Sequence, residues 1–275
     1  MKYYKYLSPE RIDVIRNLKI RYTQVTALND PFESLLGIIE KDKEWYLNKF
    51  KEKVVKEIQD RGIKGDSKKK QFFRARKKDF PNWYKCYTDE KWLIETSEEI
   101  QNMVGSVSGI LSLSATEKNI LMWSHYSSNH EGFVIEFNGD HEYFCNSIEK
   151  IIYSDVRPYY DPTKMSHEPE IFNTKSLDWK YEQEFRKSMP LVEQIELENG
   201  NKLSPFDKKH LENIAKDKIF LFDFPKEAIT SVILGWKSSS KLKEEIIIAL
   251  NEHELNDVVI RRAVPHKRKF EMEVI

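Results

Sequence analysis

The segment from Trp179 to Arg186 carries the residues with the clearest capacity for chemistry. It has the sequence Trp-Lys-Tyr-Glu-Gln-Glu-Phe-Arg. If the segment is a β-strand, every second side chain shares a face, which groups Lys180, Glu182, Glu184 and Arg186. Two carboxylates at this spacing can have their pKa values pushed apart in a cleft, as acid/base catalysis or the stabilisation of a cation requires. The alternative interpretation is a half-buried strand with a solvated charged face.

A second cluster of polar and aromatic side chains lies within residues 121–132, where Trp123, His125, Tyr126 and His130 follow each other closely. The two histidines are not four residues apart, so they do not share one face of a helix and a zinc site is not expected. His125 could instead donate a hydrogen bond to a ribose or phosphate, and Trp123 or Tyr126 could stack on a planar ring. The alternative is that the aromatic residues anchor a helix to the core.

Two further groups could hold a ligand. Ser112 and Ser114 occupy the end of an expected strand, where small hydroxyl residues leave room for a ligand, although Ser114 could equally cap the next helix. Arg21 could hold a phosphate through two parallel hydrogen bonds, with Asn29 or Asp30 fixing a loop above it. The alternative is an ordinary strand-to-helix turn.

Alternation and turn residues predict strands at 3–7, 19–24, 108–114, 133–137, 150–154, 179–188, 218–222, 230–234 and 258–262. Helices are expected after Pro9, from Phe32 to Gly105, over 119–128 and over 238–254. The predicted fold class is therefore α+β, with a mixed β-sheet and flanking helices. One domain over residues 1–275 is expected, with a helical insertion at 32–105 and the main sheet portion at 106–275.

Composition narrows the functional classes. Lys plus Arg and Asp plus Glu both number 45, so no global field attracts the chain to nucleic acid or membrane. The two cysteines, Cys86 and Cys145, form no CxxC pair, which favours a reducing compartment. No apolar run is long enough for a signal peptide or a membrane span. A cytoplasmic protein without membrane contact is predicted.

Three motifs together resemble a large bacterial family. They are Asn-Asp-Pro-Phe-Glu at 29–33, Met-Trp-Ser-His-Tyr at 122–126 and Trp-x-Tyr-Glu-x-Glu-Phe-Arg at 179–186. The family is catalogued only as a domain of unknown function and occurs near phage-defence genes. This resemblance implies a role in antiviral defence and supplies no activity.

The order Arg, Ser-x-Ser and Glu-x-Glu along the chain is similar to that of ADP-ribosyltransferases. The resemblance implies that Arg21 holds the phosphates of NAD and that Ser112 and Ser114 brace the site. Glu184 would stabilise the ribosyl oxocarbenium ion, and Glu182 would help the acceptor attack. It also implies a split mixed sheet and chemistry without a metal.

The chain departs from the ADP-ribosyltransferase pattern in three places. The central motif is Ser-Leu-Ser instead of Ser-Thr-Ser, the Trp-Ser-His-Tyr segment has no counterpart, and Tyr4 and Tyr6 compete with Arg21 as the ligand-binding residue of the early strands. The expected catalytic set is His125, Glu182 and Glu184. The expected NAD-binding set is Tyr6, Arg21, Asn29, Ser112, Ser114, Trp123, Tyr126, His130 and Arg186.

The predicted function is that of an NAD-consuming, ADP-ribosyltransferase-like toxin or effector, with protein, nucleic acid or water as the acceptor. One alternative is an effector that binds or cuts nucleic acid. Its basis is the basic stretch 68–78, with aromatic residues interleaved, and the segment 266–269. Another alternative is a non-catalytic partner or sensor of a defence protein.

Overall fold

A computed structural model describes residues 1–33, 35, 37, 41–145, 147–158, 170–192 and 218–275. Its strands are β1 Lys2–Leu7, β2 Lys19–Gln24, β3 Ser108–Ser114, β4 Phe133–Asn138, β5 Glu149–Lys150, β6 Ile152–Ser154, β7 Thr174–Ser176, β8 Glu184–Pro190, β9 Phe220–Asp223, β10 Ile229–Leu234, β11 Val259–Pro265 and β12 Met272–Val274. Its helices are α1 Asp13–Asn17, α2 Lys43–Asp60, α3 Asp66–Lys77, α4 Phe80–Thr88, α5 Glu90–Val107, α6 Ile120–Tyr126, α7 Glu170–Asn173 and α8 Ser240–Glu252. None of these described helices is long and apolar enough to cross a membrane.

Ten of the described strands form one mixed sheet in the order β12-β11-β10-β4-β1-β3-β2-β9, with β8 paired to β3 and β5 paired to β8. Strands β10 and β11 are parallel, whereas the other pairs of this sheet are antiparallel. Strands β6 and β7 form a separate parallel pair. The α+β class with a mixed sheet is therefore confirmed.

The sheet divides beside β3. Strand β8 pairs with β3 along its whole length, from Ser108 to Ser114. On the other edge of β3, β2 pairs only with Gly109 and Ile110, and β1 pairs only with Ser114. Strands β1 and β2 thus share one edge of β3 and diverge between these points. This split leaves a gap in the hydrogen-bond ladder, at which side chains from four strands can meet.

Alternation along β1 explains how the two faces of the sheet are covered. Tyr3 and Leu7 belong to the main apolar core, which α1 and α8 close through residues such as Ile15 and Ile246. Side chains of the opposite face, including Tyr4 and Tyr6, pack with Met122 and Trp123 of α6. A strand with apolar side chains on both faces must be covered on both, and this requirement places α6 beside the split.

The stretch predicted as a helical insertion carries α2 to α5. The expectation that Phe32 begins a helix is wrong, because residues 31–33 form a turn. The Asp30 carboxylate accepts a hydrogen bond from the Phe32 backbone N–H at 2.9 Å, and the Asp30 carbonyl accepts one from Glu33. Helix α2 begins where Asp42 caps the N–H of Trp45. Positions 34, 36 and 38–40 lie outside the described residues.

Two of the predicted strands are also wrong in detail. The segment Leu177–Glu182 is a 3-10 helix that Ser176 caps, and Gln183 has a left-handed backbone with φ of 46°. The strand therefore begins only at Glu184. The strand expected over residues 150–154 is two strands, β5 and β6, which belong to different sheets.

Candidate functional site

A cavity of about 290 Å³ opens at the split between β1 and β2. Strands β1, β2, β3 and β8 line it, together with the turn at 29–33 and side chains from α6 and β7. Its volume is close to the lower end of the range for small-molecule sites. The cavity has a carboxylate-rich wall and also two cations, Lys5 and Arg21, that have no carboxylate within ion-pair distance among the described residues.

The carboxylate-rich wall is a buried network of charged side chains. Arg186 donates to both oxygens of Glu33, at 2.5 and 2.9 Å, and to both oxygens of Glu184, at 2.8 and 3.1 Å. Lys175 donates to Glu182 at 2.6 Å and to Glu184 at 3.2 Å. All five side chains are buried. Three carboxylates face two cations, so the network has one excess negative charge.

Glu184 is saturated by its donors. A carboxylate has about four acceptor positions, and Glu184 receives two hydrogen bonds from Arg186, one from Lys175 and one from the Ser112 hydroxyl. Burial alone would raise its pKa, but Arg186 and Lys175 lower the pKa of Glu184 to about 2. Its charge is therefore balanced within the protein.

Glu182 has capacity for a ligand. Its oxygens accept one hydrogen bond from Lys175 and one from the Tyr126 hydroxyl at 2.5 Å, which leaves about two acceptor positions. Burial is the largest influence on Glu182 and raises its pKa against the opposing effect of Lys175. Asn29 donates to the Tyr126 hydroxyl at 2.9 Å, and Ser114 donates to the Glu182 carbonyl at 2.7 Å. These contacts fix the carboxylate at the cavity wall.

The other wall carries cations that lack carboxylate partners among the described residues. Arg21 on β2 has a buried Nε without a hydrogen-bond partner in that part of the chain. Burial and the nearby Arg11 lower the pKa of Arg21. Lys5 on β1 donates from Nζ to the Ser112 carbonyl at 3.0 Å, across the gap in the ladder. An anion bound here would balance positive charge of Arg21 and Lys5 that the described residues do not balance.

Nine of the residues predicted for the site line this one cavity: Tyr6, Arg21, Asn29, Ser112, Ser114, Tyr126, Glu182, Glu184 and Arg186. Some of their polar atoms are already engaged, since the Tyr6 hydroxyl donates to the Thr116 carbonyl and Arg186 is fully paired. Glu182 and Glu184 meet here although no strand carries both, because the left-handed Gln183 turns the chain between them.

Three predicted residues do not line the cavity. His125 is exposed and its Nδ1 contacts the Tyr181 hydroxyl at 3.1 Å. Successive residues of a helix point about 100° apart, so Tyr126 faces the cavity and His125 faces outward. Trp123 is fully buried in the core, with its Nε1 donating to a backbone carbonyl. The His130 ring stacks on Trp123 and supports the turn before β4.

Sequence reasoning gave no role to three residues of the site. Glu33 lies in the Asn-Asp-Pro-Phe-Glu motif, but its pairing with Arg186 spans 153 residues and has no local signal. Lys175 precedes the aromatic-charged segment and has no distinguishing pattern. Lys5 did have a signal, since it is the one charged residue between apolar neighbours in Tyr-Lys-Tyr. An isolated charge in the middle of such a strand indicates a partner or a site.

The basic stretch considered for nucleic acid is organised differently from that expectation. It forms most of α3, where Phe72 and Phe73 pack against a cluster centred on Phe50 and Val54 of α2. Trp83 of α4 belongs to the same cluster. These rings are partly buried and pack together within the helical stretch.

Residues 122–187 match the model of a family described as "Protein of unknown function (DUF2971)". The matched part is less than half of the chain and includes Tyr126, Glu182, Glu184 and Arg186. The predicted similarity to a domain-of-unknown-function family is thus supported over this stretch. No curated protein and no solved structure matches the chain.

Proposed function

We propose that the cavity binds NAD and cleaves the bond between nicotinamide and ribose, as ADP-ribosyltransferase-like enzymes do. The observation that carries this proposal is the pairing of two features in one cavity. Glu182 is a buried carboxylate with unused acceptor positions, and Arg21 is a guanidinium group without a carboxylate partner among the described residues. A dinucleotide needs a cation for its phosphates and a carboxylate near its ribose.

The chemistry follows from charge. When the bond from the ribose C1′ to the nicotinamide nitrogen breaks, its electron pair leaves with nicotinamide and positive charge develops on the ribose, as in glycoside cleavage. A fixed carboxylate beside that carbon lowers the energy of this transition state. A lone pair of the acceptor then forms the new bond to C1′, and the acceptor loses its proton.

The geometry favours Glu182 as the catalytic carboxylate. The sequence-based expectation gave that role to Glu184, but the charge of Glu184 is already balanced by Arg186 and Lys175. Glu182 accepts fewer hydrogen bonds, so its unused acceptor positions are available to a ribose hydroxyl or to the developing cation. In this proposal Glu184 and Arg186 hold Lys175 and the wall in place, and Glu182 acts on the substrate.

A protein, a nucleic acid or water would serve as the acceptor of ADP-ribose. The resemblance to a family found near phage-defence genes supports a role as an effector or toxin in bacterial antiviral defence. A defence-system protein would then be a partner that controls the activity.

The test is direct incubation of the purified protein with NAD, with free nicotinamide measured by chromatography. Glu182→Gln keeps the shape and removes the charge, so we expect a loss of about 10²–10³ in kcat. Glu131→Gln, which neutralises an exposed carboxylate outside the cavity wall, is the matched control and should retain full activity. Full turnover by Glu182→Gln would contradict the role of this residue, and absence of turnover by the unaltered protein would contradict the proposed reaction.

A further inference from the structure

Lys5 has unused hydrogen-bonding capacity inside the cavity. An ammonium group has three N–H donors, and the Ser112 carbonyl is the one acceptor that the described residues give to Lys5. Its neighbours on β1, Tyr3 and Leu7, belong to the main core, whereas the Lys5 side chain lines the cavity. The side chain therefore extends into the split and keeps donors available there.

Charges of both signs act on Lys5. Glu184 and Glu182 attract its ammonium group, while Arg11 and Arg21 repel it. Arg11 has its own partner in Asp13 at 3.1 Å. Arg21 has no such partner among the described residues, so Lys5 and Arg21 together carry one positive charge more than the excess negative charge of the buried network can balance.

We infer that Lys5 and Arg21 form a phosphate subsite at the split between β1 and β2, with Lys5 as a ligand-binding residue that selects ligands carrying a phosphate group beside a ribose. This inference rests on the proposed function for the ribose, which Glu182 would contact. The part of the inference that concerns phosphate binding depends only on Lys5 and Arg21.

The distribution of charge supports this ligand class over an uncharged nucleoside. The buried network of Glu33, Lys175, Glu182, Glu184 and Arg186 has one excess negative charge, which can balance only one of the two cations Lys5 and Arg21. One positive charge in excess is therefore left in the same cavity, where Ser112 and Thr23 supply short polar side chains. A diphosphate there would accept hydrogen bonds from both cations, and its attached ribose would reach the carboxylate wall.

The protonation of Lys5 provides a readout that a structural role would not change. Loss of water on burial is the main cause that lowers the pKa of Lys5 to about 8. A bound phosphate would favour the charged ammonium and raise this pKa. Binding near pH 8.5 should therefore take up a proton. The groups that face Lys5 are the carboxylates of Glu182 and Glu184 and the guanidinium groups of Arg11 and Arg21, which ordinarily titrate outside the range of about pH 8 to 9.5.

The experiment is calorimetric titration of the full chain with ADP-ribose at about pH 8.5, in buffers of different ionisation enthalpy. The diphosphate of ADP-ribose has no proton that titrates near this pH. We expect proton uptake with the unaltered protein, and none with Lys5→Met, which should bind about tenfold or more weakly. Arg21→Gln should also bind about tenfold more weakly but should keep the proton uptake.

A second measurement does not depend on any variant. Affinity of the unaltered protein for ADP-ribose should fall as the pH rises above about 8, because Lys5 must then be protonated on binding, whereas adenosine should bind weakly at every pH. Equal affinity for adenosine and ADP-ribose, or proton uptake retained in Lys5→Met, would overturn the inference. Binding of ADP-ribose with proton uptake, in a protein that does not cleave NAD, would support the phosphate subsite and contradict only the proposed reaction.

Discussion

Neutralising Glu184 should mainly lower the stability of the protein, whereas neutralising Glu182 should mainly lower its NAD-cleaving activity. Both carboxylates are buried, both contact Lys175, and they are separated by a single residue. The substitutions Glu184→Gln and Glu182→Gln therefore form a matched pair with the same change in volume and charge. They differ in whether the folded protein stabilises the ionised form of the carboxylate.

The expected cost of Glu184→Gln follows from its pKa. The surrounding cations hold the pKa of Glu184 at about 2, against an ordinary value of 4.5. Each unit of difference between the folded and unfolded pKa contributes about 1.4 kcal/mol, so the ionised carboxylate contributes about 3 kcal/mol to stability at neutral pH. Removing one partner of a buried ion pair costs about 3–5 kcal/mol, which agrees in size. That is a large part of the stability of an ordinary domain, roughly 5–15 kcal/mol.

Glu182→Gln should cost about 1 kcal/mol or less. Burial raises the pKa of Glu182, so the fold does not favour its ionised form over the ionised form in the unfolded chain. Lys175 also keeps its second carboxylate, Glu184. The loss in this variant should appear in NAD cleavage.

The assay is urea unfolding at pH 7, followed by circular dichroism and analysed by linear extrapolation. The free energy of unfolding should fall by about 2–3 kcal/mol more in Glu184→Gln than in Glu182→Gln. Equal losses would refute the view that Glu184 is the saturated, structural carboxylate. A larger loss in Glu182→Gln would reverse the two roles.

Three further outcomes are expected. The protein should lose about 3 kcal/mol of stability as the pH falls from 4.5 to about 2, because protonation of Glu184 breaks its pairing, and acid unfolding of Glu184→Gln should lack this component. Tyr126→Phe removes the donor to Glu182, so it should cost about 1.5–3 kcal/mol in urea unfolding and shift the acid limb of the NAD-cleavage profile to higher pH. Gly132→Ala should lower the melting temperature sharply, at a cost of at least about 3 kcal/mol, since its Cβ would lie 2.0 Å from the Leu7 carbonyl oxygen.

Each of these outcomes has a result that would contradict it. The acid transition should differ between the unaltered protein and Glu184→Gln; identical curves would mean that another carboxyl group controls it. An unchanged pH profile in Tyr126→Phe would show that this hydroxyl does not tune Glu182. A Gly132→Ala protein with unchanged melting temperature would show that β1 and the turn before β4 can separate without cost.

The sequence predicted those parts of the fold that local patterns determine. Alternation of apolar side chains places β1, β2, β3 and β4 close to the observed bounds, because each strand buries at least one face. The same alternation led to a wrong strand prediction at Trp179. The segment Leu177–Glu182 is a 3-10 helix, in which aromatic residues can also pack on one side. Alternation does not report a left-handed residue such as Gln183, and here that residue determines where β8 begins.

The sequence indicated several residues that line the cavity, but it did not indicate how these residues pair with one another. Arg21, Ser112, Glu182 and Glu184 were found from their types and order, and all four line the cavity. The sequence could not show which carboxylate is saturated. That depends on Lys175 and Arg186, whose positions follow from chain topology. Nor could it show that Trp123 is buried while its neighbour on the helix, Tyr126, reaches the cavity, since both are amphipathic aromatic residues.

The ion pair between Glu33 and Arg186 has a consequence for biosynthesis. It closes a loop of 153 residues, and the strand that carries Arg186 pairs with β3 only after α2 to α5 have been made. Closing a loop of this length costs conformational entropy, and proteins rich in such non-local contacts fold slowly. A nascent chain that has not yet released β8 from the ribosome has Lys5, Arg21, Glu33 and Ser112 but lacks Glu184 and Arg186 of the acidic wall. The cavity is therefore complete only after β8 has been synthesised and has left the ribosome. Until then the nascent chain should lack the proposed activity.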